Sequence, residues 1–152
     1  MTKRIDQELD AIFAHHRARM TQVRNDAIDK RSAEESFSEA ATVCLASVIA
    51  PALQQMVNAL KERGAAASVT TDGGIARIDI PVSRHARLGQ GHGGYPYLRA
   101  RPDRQTRRMH FERNTSDSHG GSAVGDYAIA EVTAELVKGM VVDLVRVLYG
   151  PL

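Results

Sequence analysis

The hydrophobic period of this chain changes at Gly64, and that change decides what it can fold into. Before it, apolar residues recur every three or four positions, the signature of helices that bury one face. After it, Ala76, Ile78, Ile80 and Val82 alternate with Arg77, Asp79 and Pro81, the period of a strand buried on one side only. Helical periodicity then returns near the C-terminus. Helices first, strands second and a helix last describe an α+β domain, not a bundle or a closed barrel.

Within the first block, residues 3 to 28 carry Ile5, Leu9, Ile12, Phe13, His16, Met20, Val23 and Ala27 on one narrow stripe. The rest of that helix is charged with mixed sign. A stripe this narrow packs on a single surface, and residues 1–30 are expected to form an amphipathic helix that either extends along the side of the core or clasps a second subunit. Ser32-Ala33-Glu34-Glu35 matches a capping box and predicts that a second helix begins there. Phe37, Ala41, Leu45, Val48, Ile49, Leu53, Met56, Val57 and Leu60 give that helix a wide apolar face, and it should be the central core helix. Pro51 lies inside it and predicts a kink or break over residues 47–51. Gly64 suits the residue just past the helix end.

The strand block reads as two hairpins. Residues 67–71 and 75–82 flank Asp72-Gly73-Gly74, which supplies the positive φ angles of a tight turn. Residues 95–101 and 106–113 flank a turn at Pro102-Asp103-Arg104-Gln105. In the second hairpin Leu98, Ala100, Met109 and Phe111 are expected to face inward. Tyr97, Arg99, Arg101, Arg108, His110 and Glu112 are expected outward. Residues 84–94 and 115–125 are rich in glycine and read as loops. Ser122 or Asp126 is then expected to cap a long last helix ending near Tyr149. The second half of that helix is apolar on nearly all sides, which suits burial on several faces or a subunit interface. The expected architecture is therefore two N-terminal helices, a four-stranded antiparallel meander and a long C-terminal helix. The 152 residues make one domain, with residues 32–152 as its core.

Composition narrows the function classes. Hydrophobic residues at 43% and charged residues at 25% are ordinary for a folded domain, so wholesale disorder is not expected. Cys44 is the only cysteine, so no intramolecular disulfide forms, in keeping with a reducing cytoplasmic compartment. The N-terminus has no apolar core of a signal peptide, and the run from Val43 to Leu53 is too short to cross a bilayer. Neither secretion nor a membrane span is expected.

The residues that could carry chemistry are few. Gly89-Gln90-Gly91-His92-Gly93-Gly94 has the letters of a dinucleotide loop, but strand-like Tyr95-Pro96-Tyr97 follows where a helix is needed to hold the pyrophosphate. Ser116, Asp117, Ser118, His119 and Ser122 are the residue types of a hydrolytic triad, crowded too closely to adopt its geometry among themselves. The six histidines fall into no zinc-ligand spacing, and there is no second cysteine for a zinc knuckle. No catalytic residue, metal site or cofactor is assigned, and the reading leans away from an enzyme.

Two binding features remain. Eight arginines between Arg84 and Arg113 are opposed only by Asp103 and Glu112, a local net charge of +6 in a chain of net +2. On the outer face of the second hairpin, Arg99, Arg101 and Arg108 with Tyr97 and His110 combine cations with rings, as surfaces for single-stranded nucleic acid or an acidic protein do. The two glycine-rich loops, through His92 and His119-Gly120-Gly121-Ser122, form a weaker candidate for holding a small anion at a helix start. Against both stands a plainer expectation, a homodimeric protein-interaction module whose work is assembly.

Overall fold

The computed structural model describes residues 2–81, 96–115 and 121–150. The chain is α+β. Helix α1 runs Thr2–Cys44, a π-helical turn follows over Leu45–Ile49, and α2 spans Ala50–Glu62. The strands are β1 Ser68–Asp72, β2 Ile75–Asp79, β3 Tyr97–Asp103, β4 Arg108–Asn114 and β5 Ser122–Tyr127. A 3-10 turn at Ile129–Glu131 leads into α3, Ala134–Tyr149. The chain divides into two units, Met1–Ser36 and Phe37–Leu152, called here the arm and the compact region.

Three expectations are corrected. The first is the number of N-terminal helices. Helical backbone continues unbroken from Lys3 to Glu62, so the Ser32 capping box starts nothing. A capping box signals a helix start only where something upstream has stopped one. No glycine and no proline lies between Met1 and Ala50, so nothing does. Pro51 does not break the helix, and the irregular turn, Leu45–Ile49, lies just ahead of it. The proline occupies the first turn of α2, where a missing N–H is harmless. The Ala50 N–H donates to Leu45 O, a widened turn just ahead of the proline ring that would otherwise strike the carbonyl four residues back.

The second correction adds a strand. Ser122–Tyr127, read from sequence as the end of a loop and a helix cap, pairs with β4 as β5. The described residues form one antiparallel sheet in the order β1-β2-β3-β4-β5, a simple meander. A bulge between Phe111 and Glu112 breaks the register with β5. Gly125 sits opposite Phe111 because a Cβ there would lie 2.9 Å from the Tyr127 ring. That ring packs edge-on against Phe111, with centroids 5.8 Å apart. The third correction follows from the second. With 122–131 used in strand and turn, α3 begins at Ala134, and Thr133 is its cap: its Oγ1 accepts from the Leu136 N–H at 3.1 Å.

The turns carry the expected chemistry. Gly73 and Gly74 have φ of +56° and +83°, closing β1–β2 between the paired Asp72 and Ile75. Past α2, the Gly64 N–H donates to Lys61 O and the Ala65 N–H to Leu60 O, a Schellman closure that needs the positive φ Gly64 adopts. The second hairpin turns two residues later than expected, over Arg104–Arg107, with Asp103 Oδ1 accepting from the Gln105 N–H at 3.0 Å.

The core lies between the sheet and the helices α2 and α3. Leu98, Ala100, Met109 and Phe111 face it from the middle strands, as expected from their alternation. Ile49, Leu53 and Val57 meet them from one helix, and Val137, Val141 and Leu144 from the other. Cys44 is buried in the same cluster, and burial pushes its thiol up from its ordinary range. The stretch from Ala40 to Leu60 has no charged side chain, longer than the Val43–Leu53 run suggested. By length and composition alone this helix is apolar enough to cross a bilayer. Its Ala41, Ile49, Leu53 and Val57 are nonetheless core residues.

Candidate functional site

The outer face of the sheet carries the basic residues singled out from sequence. Strand alternation puts Arg77 and Asp79 of β2, Tyr97, Arg99 and Arg101 of β3, and Arg108, His110 and Glu112 of β4 on this side. Cross-strand register then makes neighbours of opposite charges. Arg99 lies directly opposite Glu112 and pairs with it. The Arg77 guanidinium reaches Asp79 at 2.7 Å on its own strand. His110 lies across from Asp126 of β5, and its Nδ1–H donates to Asp126 Oδ1 at 2.6 Å. Its other nitrogen is 3.9 Å from Glu112 Oε2, so the imidazole stands between two carboxylates. An Asp–His pair of that kind orients a base, but among the described residues the far nitrogen hydrogen-bonds no hydroxyl or thiol that it could activate.

Tyr97 was expected to offer a stacking ring. It faces outward, but only 7% of its surface is exposed. The Arg77 guanidinium lies over the ring at 4.0 Å from its centroid, and Arg99 is 5.6 Å away. A cation already occupies the face that a base would take. Gly121 crowds the hydroxyl end: a Cβ there would sit 3.1 Å from Tyr97 Oη. Arg99 and Arg77 are thus engaged within the sheet, and Arg108 is 3.9 Å from Glu131. Arg101, Arg104 and Arg107 make no ion pair among the described residues, and all three are exposed. Uncompensated positive charge is therefore concentrated at the tip of the β3–β4 hairpin rather than across its face. Arg104 and Arg107 lie in the turn, and alternation identifies strand faces but is silent about turns.

Of the loop candidates, His92, His119 and Gly120 lie outside the described residues. Gly121 leads into β5 and Ser122 is its first residue, paired with Arg113. The helix start expected to supply free amides beside Ser122 lies instead at Ala134.

Apolar surface supplies the other candidates. In the arm, Ile5, Leu9, Ile12, Phe13, Met20 and Val23 are all exposed, Ile12 and Phe13 at 62% and 59%. His16 lies on the same stripe, and a shallow apolar depression is lined by Ile12, Phe13, His16 and Arg19. In the compact region, a groove of about 430 Å³ runs between α2 and α3. It is lined by Met56, Ala59, Val142, Val145 and Tyr149 and edged by Arg63 and Arg146. The described residues include no cluster of three or more histidine, cysteine or acidic side chains placed to hold a metal. Compared with known proteins, the chain matches no family model, no curated protein and no solved structure.

Proposed function

We propose that this chain is a cytoplasmic, non-catalytic assembly module that forms a homodimer through its N-terminal arm. One observation carries the reading: six large apolar side chains of the arm lie on one stripe and all are exposed. A single helix has no second surface of its own on which to bury a stripe, and a contiguous apolar surface of this kind is characteristic of an interface. The core does not draw on these residues, for its cluster begins at Phe37.

Light scattering across a dilution series tests this. The full chain is expected to have the mass of a dimer that dissociates on dilution. Leu9→Asp with Phe13→Asp is expected to give a monomer whose thermal unfolding is unchanged. A full chain that stays monomeric throughout the series overturns the reading.

A second reading rests on Arg101, Arg104 and Arg107 at the hairpin tip, which make no ion pair among the described residues. They suit a polyanion, nucleic acid or an acidic protein surface, held through its charges rather than by ring stacking. Binding to a single-stranded oligonucleotide should then fall steeply with salt. Replacing the three arginines with glutamine should reduce the salt slope by about two to three units. Affinity that survives the replacement removes this reading.

A further inference from the structure

The charges of the arm are segregated along its length. Asp6, Glu8 and Asp10 form an acidic stretch with no basic residue inside it, while Arg17, Arg19 and Arg24 form a basic stretch with no acidic residue inside it. The apolar stripe straddles the boundary, with Ile5, Leu9, Ile12 and Phe13 on one side and Met20 and Val23 on the other. We propose that the arm pairs with the arm of a second copy in antiparallel orientation, with the two-fold axis near residue 14. This rests on the self-association reading and specifies its geometry.

Charge decides the direction. In a parallel pair the acidic stretches lie side by side, and so do the basic ones, and like charges at contact distance oppose pairing. In an antiparallel pair, residues 6–10 of one copy run alongside residues 18–22 of the other, inside the basic stretch. The operation keeps part of the apolar stripe together, while Phe13 comes opposite His15 and Met20 opposite Glu8. Ile5 comes opposite Val23, Ile12 opposite His16, and Leu9 opposite the aliphatic stem of Arg19, whose guanidinium can reach the acidic flank. The operation also sets Arg4 near Arg24, where Glu8, 3.7 Å from Arg4 on its own helix, offsets the repulsion. The helix is the right kind of element for this. It is continuous and long enough to present several turns to a like helix.

Pulsed dipolar spectroscopy on the full chain tests the direction. Nitroxide labels are placed singly at Gln7→Cys, Ala14→Cys and Asn25→Cys, in a Cys44→Ala background. All three positions lie on the polar side of the helix and are exposed, so the labels leave the stripe intact. At a rise of about 1.5 Å per residue, antiparallel pairing offsets the two labels along the axis by zero at position 14, about 21 Å at position 7 and about 33 Å at position 25. The expected order of distances is therefore 14 shortest, 7 intermediate and 25 longest. Equal distances at all three positions mean a parallel pair and overturn the proposal while leaving the homodimer. A dimer by light scattering in which none of the three distances follows either pattern places the interface outside the arm and also overturns it. A monomer by light scattering removes the self-association reading itself, and the proposal with it.

Discussion

Phe13 and Phe111 are the same side chain in two different situations. Phe13 stands 59% exposed on the arm, and Phe111 is fully buried where the middle of the sheet meets Tyr127 and the helix layer. Both sit in segments whose apolar residues follow a clean period. What separates them is the number of surfaces available. A strand in a sheet covered by helices buries one of its two faces within the chain, whereas a lone helix buries none. Periodicity therefore reports that a face must be covered without reporting by what. In the compact region the cover is intramolecular, so its apolar residues set the stability of the fold. In the arm those residues are free to set association instead.

Substitutions at this pair should give the largest contrast. Phe111→Ala is expected to cost about 3–5 kcal/mol of unfolding free energy, because the surrounding sheet and helices cannot close the cavity. Phe13→Ala should leave the unfolding free energy of the compact region within about 0.5 kcal/mol of the parent, while weakening the dimer measurably in light scattering. A large loss of unfolding free energy from Phe13→Ala, measured well below the dissociation concentration, breaks the division between the two regions.

Backbone constraints come next, and they sharpen the same division at its helical end. Gly64→Ala should destabilise the compact region by about 1–2 kcal/mol, because the position needs a left-handed φ. There is open space around it, so the effect should be strain rather than a clash. Replacement by Asn, which tolerates that conformation better, should recover part of the loss in thermal unfolding. Thr133→Ala should cost about 1 kcal/mol by leaving the Leu136 N–H without its cap acceptor. Thr133→Ser should restore most of it. Neither change should alter the dissociation of the dimer if association belongs to the arm.

Much of this fold was legible because local signals agreed with tertiary context. The Asp72-Gly73-Gly74 turn, the inward set of Leu98, Ala100, Met109 and Phe111, and the Gly64 stop all follow from period and turn chemistry that packing reinforces. The misreadings occur where a local signal has no power without its surroundings. Ser32-Ala33-Glu34-Glu35 has the letters of a helix start, but only an upstream break makes it one. Ser122–Tyr127 lacks the alternating apolar run of a strand because it lies at the sheet edge and contributes only the partly buried Val124 and Tyr127 to the core, with Gly125 admitting the ring. On the outer face, composition showed many arginines but not their pairing. Register decides that Arg99 meets Glu112 and that Arg77 covers Tyr97, and register is a long-range property. Of the three arginines that make no ion pair among the described residues, Arg104 and Arg107 lie in the turn, which alternation does not describe.

The smallest expected effect concerns Cys44, a buried residue near the residue where the compact region begins. The folded thiol holds its proton more tightly than the unfolded one, because burial disfavours the thiolate. Its contribution to stability is therefore intact below the unfolded pKa and is lost as pH rises through the raised folded value. Unfolding free energy should decline with alkaline pH more steeply in the parent than in Cys44→Ala. That variant should also be less stable at neutral pH, by about 1 kcal/mol, because it removes a packed sulfur. The two consequences separate cleanly: lost packing shifts the whole pH curve, and lost ionisation changes its slope. A thiol reagent gives a direct check. The native chain should react slowly, at the rate at which the compact region opens, and quickly in urea. Placing the same single cysteine at Ala14 in the Cys44→Ala chain should give fast labelling of the monomer without urea. If buried Cys44 reacts as fast as a cysteine on the arm, the compact region does not exclude solvent at its first core turn, and its boundary lies further along the chain than Phe37.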